Sequence, residues 1–121
     1  MLGRFFLFFR GAYKQAAAFP RWLPGGIVFS RKETALVSHL DDGSCVVFNL
    51  SDRMSYLLNE TAGIVIGLSD GGRSIRAVAR EMCDIYRIDD RRKSREIVGD
   101  VKRVYRRLSR FGIVSREGKN R

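Results

Sequence analysis

The stretch Met54-Ser55-Tyr56-Leu57-Leu58-Asn59-Glu60-Thr61-Ala62-Gly63-Ile64-Val65 decides the fold, because the chain changes there from strand to helix. Its first half, Met54 to Leu58, is short, apolar and aromatic, which is typical of a strand that packs on one face. The Asn59 side chain can cap the free N–H groups of a first helical turn, and Glu60 suits the positive end of the helix dipole. We therefore predict β-structure before this junction and helix after it.

Two further strand-like runs precede the junction. Ala35 to Leu40 and Cys45 to Leu50 are joined by Asp41-Asp42-Gly43-Ser44, and acidic residues followed by Gly favour a hairpin. A second tight turn, Ser51-Asp52-Arg53, leads into Met54–Leu58. The pattern predicts a three-stranded antiparallel meander whose last strand, Met54–Leu58, lies at a sheet edge.

Three helices are predicted after the junction. The first spans about Glu60 to Leu68 and ends at the turn Ser69-Asp70-Gly71-Gly72. Ser74 caps the second, whose apolar residues follow helical spacing up to Tyr86, and the third spans roughly Arg92 to Phe111. A meander followed by three helices around one core is a winged-helix-like α+β fold.

Charge divides the 121 residues into three parts. The formal net charge is +10, of which residues 1–32 contribute six basic residues and no acid. Residues 33–90 carry five basic and ten acidic residues, and residues 91–121 carry twelve basic and three acidic ones. An anionic partner would therefore meet the two basic ends first. The length suits one domain.

The amino-terminal residues are predicted to form an extension. Residues 2–19 read as an amphipathic helix, and Pro20, Pro24 and the Gly25-Gly26 pair form a linker. The segment is too charged for a membrane span, and it suits an anchor on anionic lipid or a homodimerisation arm. The other interpretation is a terminal extension without fixed structure, or a start codon assigned too early. The predicted organisation is an extension at 1–25, a domain at 26–115 and a basic tail at 116–121.

Catalytic and metal chemistry are hard to build from these residues. The single histidine, His39, lies in a hairpin strand with no apparent orienting partner, and one histidine makes no zinc ligand set. Cys45 and Cys83 are too few for a disulfide framework, so a reducing cytoplasm is the default location. We expect a non-enzyme with no cofactor, no catalytic residue and no metal.

The ordered motifs after residue 33 resemble those of the PqqD family. They are Leu-Asn-Glu-Thr-Ala at 58–62, Asp70-Gly71-Gly72, Gly99-Asp100-Val101 and Phe111-Gly112-Ile113-Val114, and the resemblance covers roughly residues 33 to 115. Members of this family are small winged-helix modules, also called RiPP recognition elements, that hold the leader of a ribosomally made precursor peptide. They act as peptide chaperones in the biosynthesis of PQQ and other natural products. The partners that the resemblance implies are this leader peptide and a peptide-modifying enzyme, typically a radical S-adenosylmethionine enzyme.

The resemblance also implies a binding groove between the third strand and the third helix. An edge strand offers unpaired N–H and C=O groups with which an extended peptide can pair, and the basic third helix suits an acidic leader. The implied peptide-binding residues are Arg53, Met54, Ser55, Tyr56, Leu57, Leu58, Val98, Val101, Lys102 and Tyr105.

Nucleic-acid binding is the alternative from a different class. Basic residues crowd the third helix, and a basic helix in a winged-helix-like frame can read a groove or contact phosphates. These residues are Lys102, Arg103, Arg106, Arg107 and Arg110. A solvated charged face would look the same. The absence of a Gly- and Arg-rich wing disfavours DNA.

Overall fold

The structure is a computed structural model that describes the backbone of residues 7–9 and the whole of residues 24–117. It contains seven strands and three helices in these described residues. In chain order they are β1 (Leu7–Phe9), β2 (Val28–Arg31), β3 (Ala35–His39), β4 (Cys45–Asn49), β5 (Met54–Leu58), α1 (Glu60–Leu68), β6 (Asp70–Ser74), α2 (Ile75–Ile85), α3 (Arg91–Arg110) and β7 (Val114–Arg116).

The predicted α+β fold, a three-stranded antiparallel meander followed by three helices, is confirmed. Strands β3, β4 and β5 pair antiparallel, with Val37 opposite Val47 and Val47 opposite Tyr56. The helix after the junction begins as expected, because the Asn59 side chain accepts a 3.0 Å hydrogen bond from the Ala62 N–H. Ser74 caps α2 in the same way through the Ala77 N–H.

A second, three-stranded sheet has the order β6-β2-β7. It corrects the prediction of a simple turn at Asp70-Gly71-Gly72, since Asp70–Ser74 forms strand β6 against β2. The turn-forming residues are still used locally: Gly71 has a φ of +86°, and the Asp70 side chain accepts a bond from the Gly72 N–H. The nearby backbone of β2 supplies pairing partners that local sequence does not reveal. Strand β7 also ends one residue beyond the predicted domain boundary at 115.

The core lies between the sheets and the helices, and α3 passes through it. Ile97, Val101, Val104 and Leu108 of α3 are buried at helical spacing. Tyr105 is fully buried and stacks on Phe29 of β2 with ring centroids 4.5 Å apart. This contact joins α3 to the second sheet. Within residues 24–117, no helix is long and apolar enough to cross a membrane.

The amino-terminal prediction needs correction where the structure describes it. Leu7–Phe9 is a strand, β1, rather than part of a helix over residues 2–19. It pairs antiparallel with β5, so the first sheet has the order β1-β5-β4-β3 and β5 is not its outermost strand. The pairing partner lies more than forty residues away, and helical periodicity carries no information about it. The rest of the predicted helix lies outside the described residues.

Candidate functional site

The side chains of β5 alternate between the core and the solvent, as a half-buried strand requires. Tyr56 and Leu58 are buried, with exposed fractions of 3% and 0%, whereas Leu57 is 40% exposed. Leu57 therefore lies on the outer face of the sheet. On the same face, Leu36 of β3 is 51% exposed and Phe48 of β4 is half-buried. The outer face next to β5 therefore carries apolar side chains.

The hydrogen-bond register shows which backbone groups of β5 point away from the meander. The Leu40 N–H donates to Ser44 O, and the Leu50 N–H donates to Thr34 O, so even-numbered residues of β4 direct their N–H and C=O groups toward β3. The N–H and C=O groups of the odd-numbered residues of β4 then point toward β5. Since these pair with even-numbered residues of β5, Ser55 and Leu57 direct their N–H and C=O groups away from β4.

The carboxyl end of α3 lies beside β5. The rings of Tyr56 and Phe111 pack with centroids 4.9 Å apart, and Phe111 is the C-cap of α3. The buried Asn49 side chain at the end of β4 donates a 3.0 Å hydrogen bond from Nδ2 to the Phe111 carbonyl. Gly112, at a φ of +76°, then turns the chain away. These contacts hold the helix end against the strand.

Helical spacing identifies the residues of α3 that lie on the same side of the helix as Phe111. Asp100, Arg103 and Arg107 lie eleven, eight and four positions before Phe111, so they fall on the same side of the helix. We call Asp100, Arg103, Arg107 and Phe111 the β5 flank. Asp100 is 5% exposed and pairs with the Arg103 guanidinium. Burial raises the pKa of the Asp100 carboxyl, as does the nearby Glu96 charge, while Arg103 opposes the shift.

Most of the predicted helix residues lie elsewhere. Val101 and Tyr105 have no exposed surface, so the prediction that they contact a peptide needs correction. Tyr105 stacks on Phe29, and its hydroxyl lies 2.6 Å from the Ser69 Oγ. Val98 and Lys102 are half-buried on the side of α3 that Tyr105 occupies, because seven and three positions separate them from it. The apolar residues at helical spacing predicted α3 itself but not which side of the helix meets β5.

The turn before β5 is fixed by Asp52. Its carboxylate accepts hydrogen bonds from the Met54 N–H at 2.9 Å and from the Tyr56 hydroxyl at 2.7 Å. Burial and this bond raise the pKa of Tyr56, so the phenol stays protonated. Arg53, a predicted site residue, is exposed in the left-handed conformation with a φ of 60°. Met54 and Ser55 are half-buried.

Groups for covalent or metal chemistry are dispersed. In residues 24–117, no three His, Cys, Asp or Glu side chains come close enough to hold a metal ion. His39 is exposed on β3, and Cys45 and Cys83 are both buried free thiols. Burial raises the pKa of Cys45, which leaves it a poor nucleophile.

Comparison with known proteins supports the fold alone. No model of a known protein family matches the chain, and no curated protein sequence matches it. A solved structure, TbiB1 in complex with the TbiA(beta) leader peptide, superposes with a TM-score of 0.60 at 17% identity. The superposition covers 76% of this chain and 99% of that one. The fold is similar to that of TbiB1.

Proposed function

We propose that this protein is a non-catalytic peptide-binding module that captures the leader of a ribosomally made precursor peptide by strand addition to β5. It would present that precursor to a modifying enzyme, in the manner of RiPP recognition elements. The observation that carries the proposal is the outward direction of the Ser55 and Leu57 backbone groups beside the α3 helix end. The fold likeness to TbiB1, which was solved with a leader peptide, supports it.

The backbone contribution comes from the outward N–H and C=O groups of β5. An antiparallel peptide strand would exchange two hydrogen bonds with Leu57 and two with Ser55. Each such bond contributes about 0.5–1.5 kcal/mol net. The register sets the sides on which the peptide side chains lie: one set would cover Leu57 on the outer face, and the other would lie on the inner side, toward the contact between Tyr56 and Phe111.

The charge of the β5 flank favours an acidic peptide. Arg103 and Arg107 belong to this flank, and Arg53 lies at the start of β5. Their guanidinium groups attract carboxylates and increase the association rate at low salt. We therefore assign the helix side of the peptide site to Arg103 and Arg107, in place of the predicted Val101 and Tyr105.

The test compares prolines at two strands of the same sheet. Leu57→Pro removes an N–H that points away from β4. In a chain that also carries Phe8→Pro, which weakens the pairing of β1 with Leu57, we expect it to weaken leader binding by on the order of 1–3 kcal/mol, roughly 5- to 150-fold. Val37→Pro is the matched control, because the Val37 N–H points away from β4 on the opposite side of the meander. The probe is an acidic leader peptide encoded by a short gene beside this one, titrated by fluorescence anisotropy. Equal binding by the two variants would refute strand addition at β5.

The nucleic-acid alternative predicts that charge reversals on α3 weaken binding more than a proline in β5 does. Arg107→Glu should slow leader association and reduce its salt dependence, while Lys102→Glu, on the other side of α3, is the matched control. If the protein instead binds duplex DNA through α3, both charge reversals weaken DNA binding strongly and Leu57→Pro has little effect on it. Titrating the same variants against duplex DNA separates the two functions.

A further inference from the structure

The chain already places a strand of its own along β5. Strand β1 runs antiparallel to it, with Leu7 opposite Leu58, Phe8 opposite Leu57 and Phe9 opposite Tyr56. This is the side of β5 to which a leader strand would add. Only one strand can pair with that side at a time, so β1 and a leader peptide compete for it.

The register identifies the groups for which they compete. Because Leu57 directs its N–H and C=O away from β4, the Leu57 and Phe8 pair is the one that exchanges hydrogen bonds. The flanking pairs, Leu7 with Leu58 and Phe9 with Tyr56, are non-hydrogen-bonded pairs. The Phe8 N–H and C=O therefore satisfy the two Leu57 groups that peptide capture requires.

Charge distinguishes β1 from the peptide that the site favours. The first 32 residues contain six basic residues and no acid, and Arg4 and Arg10 flank the apolar run that includes β1. The β5 flank carries a net positive charge, because Asp100 offsets only one of the two arginines, Arg103 and Arg107. A strand from this segment gains no attraction from that flank, whereas an acidic strand does. An acidic peptide can thus displace β1, whose described residues exchange backbone bonds with Leu57, whereas an added peptide strand would also pair with Ser55.

We propose that β1 is an intramolecular occupant of the peptide site, which an acidic extended peptide displaces when it binds. This proposal rests on the proposed function and adds regulation of peptide binding to it. Fourteen residues connect Phe9 to Pro24, so β1 competes from a tethered position, at an effective concentration in the millimolar range. The apparent Kd for a peptide is the intrinsic Kd divided by the fraction of molecules in which β1 is detached. A site that is open about one tenth of the time binds roughly tenfold more weakly than an open one.

The test uses two proline variants of the full chain. Phe8→Pro removes the N–H that donates to Leu57, whereas Phe9→Pro removes an N–H that points away from β5 and is the matched control. Both replace a phenylalanine with a proline in the same strand. Hydrogen exchange followed by NMR should show that Phe8→Pro speeds exchange of the Leu57 amide tenfold or more, while Phe9→Pro leaves it near the wild-type rate.

Binding is then measured with a defined probe. The probe is a fluorescent synthetic copy of residues 3–11 that carries Arg4→Glu and Arg10→Glu, so that it has the strand sequence of β1 with acidic ends. We expect Phe8→Pro to bind it about tenfold more tightly than wild type or Phe9→Pro. The probe should also bind more tightly than the unmodified copy, and this difference in affinity should decrease as salt is added.

The outcomes separate this inference from the proposed function. If all three proteins bind the probe equally, β1 does not occupy the site and this inference is wrong, while peptide capture stands. If Phe8→Pro opens the Leu57 amide but binds no probe, peptide capture at β5 is wrong and the inference falls with it. If Leu57 protection rises with protein concentration, β1 pairs with a second copy, and the intramolecular form of the inference is overturned.

Discussion

Replacing Asn49 with alanine should loosen the junction between β4 and the carboxyl end of α3. The Asn49 side chain is 2% exposed; its Nδ2 donates to the Phe111 carbonyl at 3.0 Å, and its Oδ1 accepts from the Ser51 N–H at 3.0 Å. Asn49→Ala leaves a buried carbonyl without its donor, which costs about 1–3 kcal/mol. Loss of the partly buried turn bond adds about 0.5–1.5 kcal/mol. We expect the free energy of unfolding to fall by about 2–4 kcal/mol.

Urea denaturation measures this loss as a lower midpoint at an unchanged slope. Ser74→Ala is a suitable control, because it removes one part-buried helix-cap bond at α2, away from the contact between Asn49 and Phe111, and should cost only about 1 kcal/mol. The two variants should also differ in function: Asn49→Ala should weaken peptide binding by moving Phe111, whereas Ser74→Ala should not. A loss below about 0.5 kcal/mol for Asn49→Ala would refute the reasoning, because it would mean that the Phe111 carbonyl finds another donor at no cost.

Two further substitutions test the β5 flank and the turn that follows it. Burial raises the pKa of Asp100 above the ordinary value of 3.8, so its contribution to stability is greatest below that pH and is lost as the pH rises through the raised pKa. The free energy of unfolding of Asp100→Asn should therefore increase relative to that of wild type as the pH rises from about 3 to 7. A difference that does not change with pH would contradict the raised pKa of Asp100. Gly112→Ala should cost about 1–2 kcal/mol in urea denaturation, because φ is +76° and the new Cβ would lie 3.3 Å from the Asn49 Nδ2. A neutral effect would contradict the left-handed backbone conformation of Gly112.

The parts of the fold that local chemistry dictates were predictable from sequence. Asn59 and Ser74 have side chains that suit helix caps, and both cap helices in the structure. The short apolar and aromatic run from Met54 to Leu58 predicted a strand that packs on one face, and β5 buries Tyr56 and Leu58 on one side. These features depend only on residues within a few positions of one another, which is the range over which propensity and periodicity act.

The pairing of distant segments could not be predicted in the same way. Strand β6 contains Gly71 and Gly72 and reads as a turn until β2 supplies its partner. The apolar run around Leu7–Phe9 fits a helix by periodicity, yet it lies extended against β5. The side of α3 that meets β5 is set by the Tyr56–Phe111 contact, for which the sequence carries no signal beyond the presence of two aromatic residues.

The most direct test of peptide capture is an isotope-filtered NOE experiment. Because Tyr56 and Leu58 direct their N–H groups toward β4, their Hα atoms point toward an added strand, where antiparallel Hα pairs come closest. With ¹³C-labelled protein and an unlabelled acidic leader peptide, strand addition predicts intermolecular Hα–Hα cross-peaks at Tyr56 and Leu58 and none at Ser55 or Leu57. Cross-peaks confined to α3, with none on β5, would contradict it.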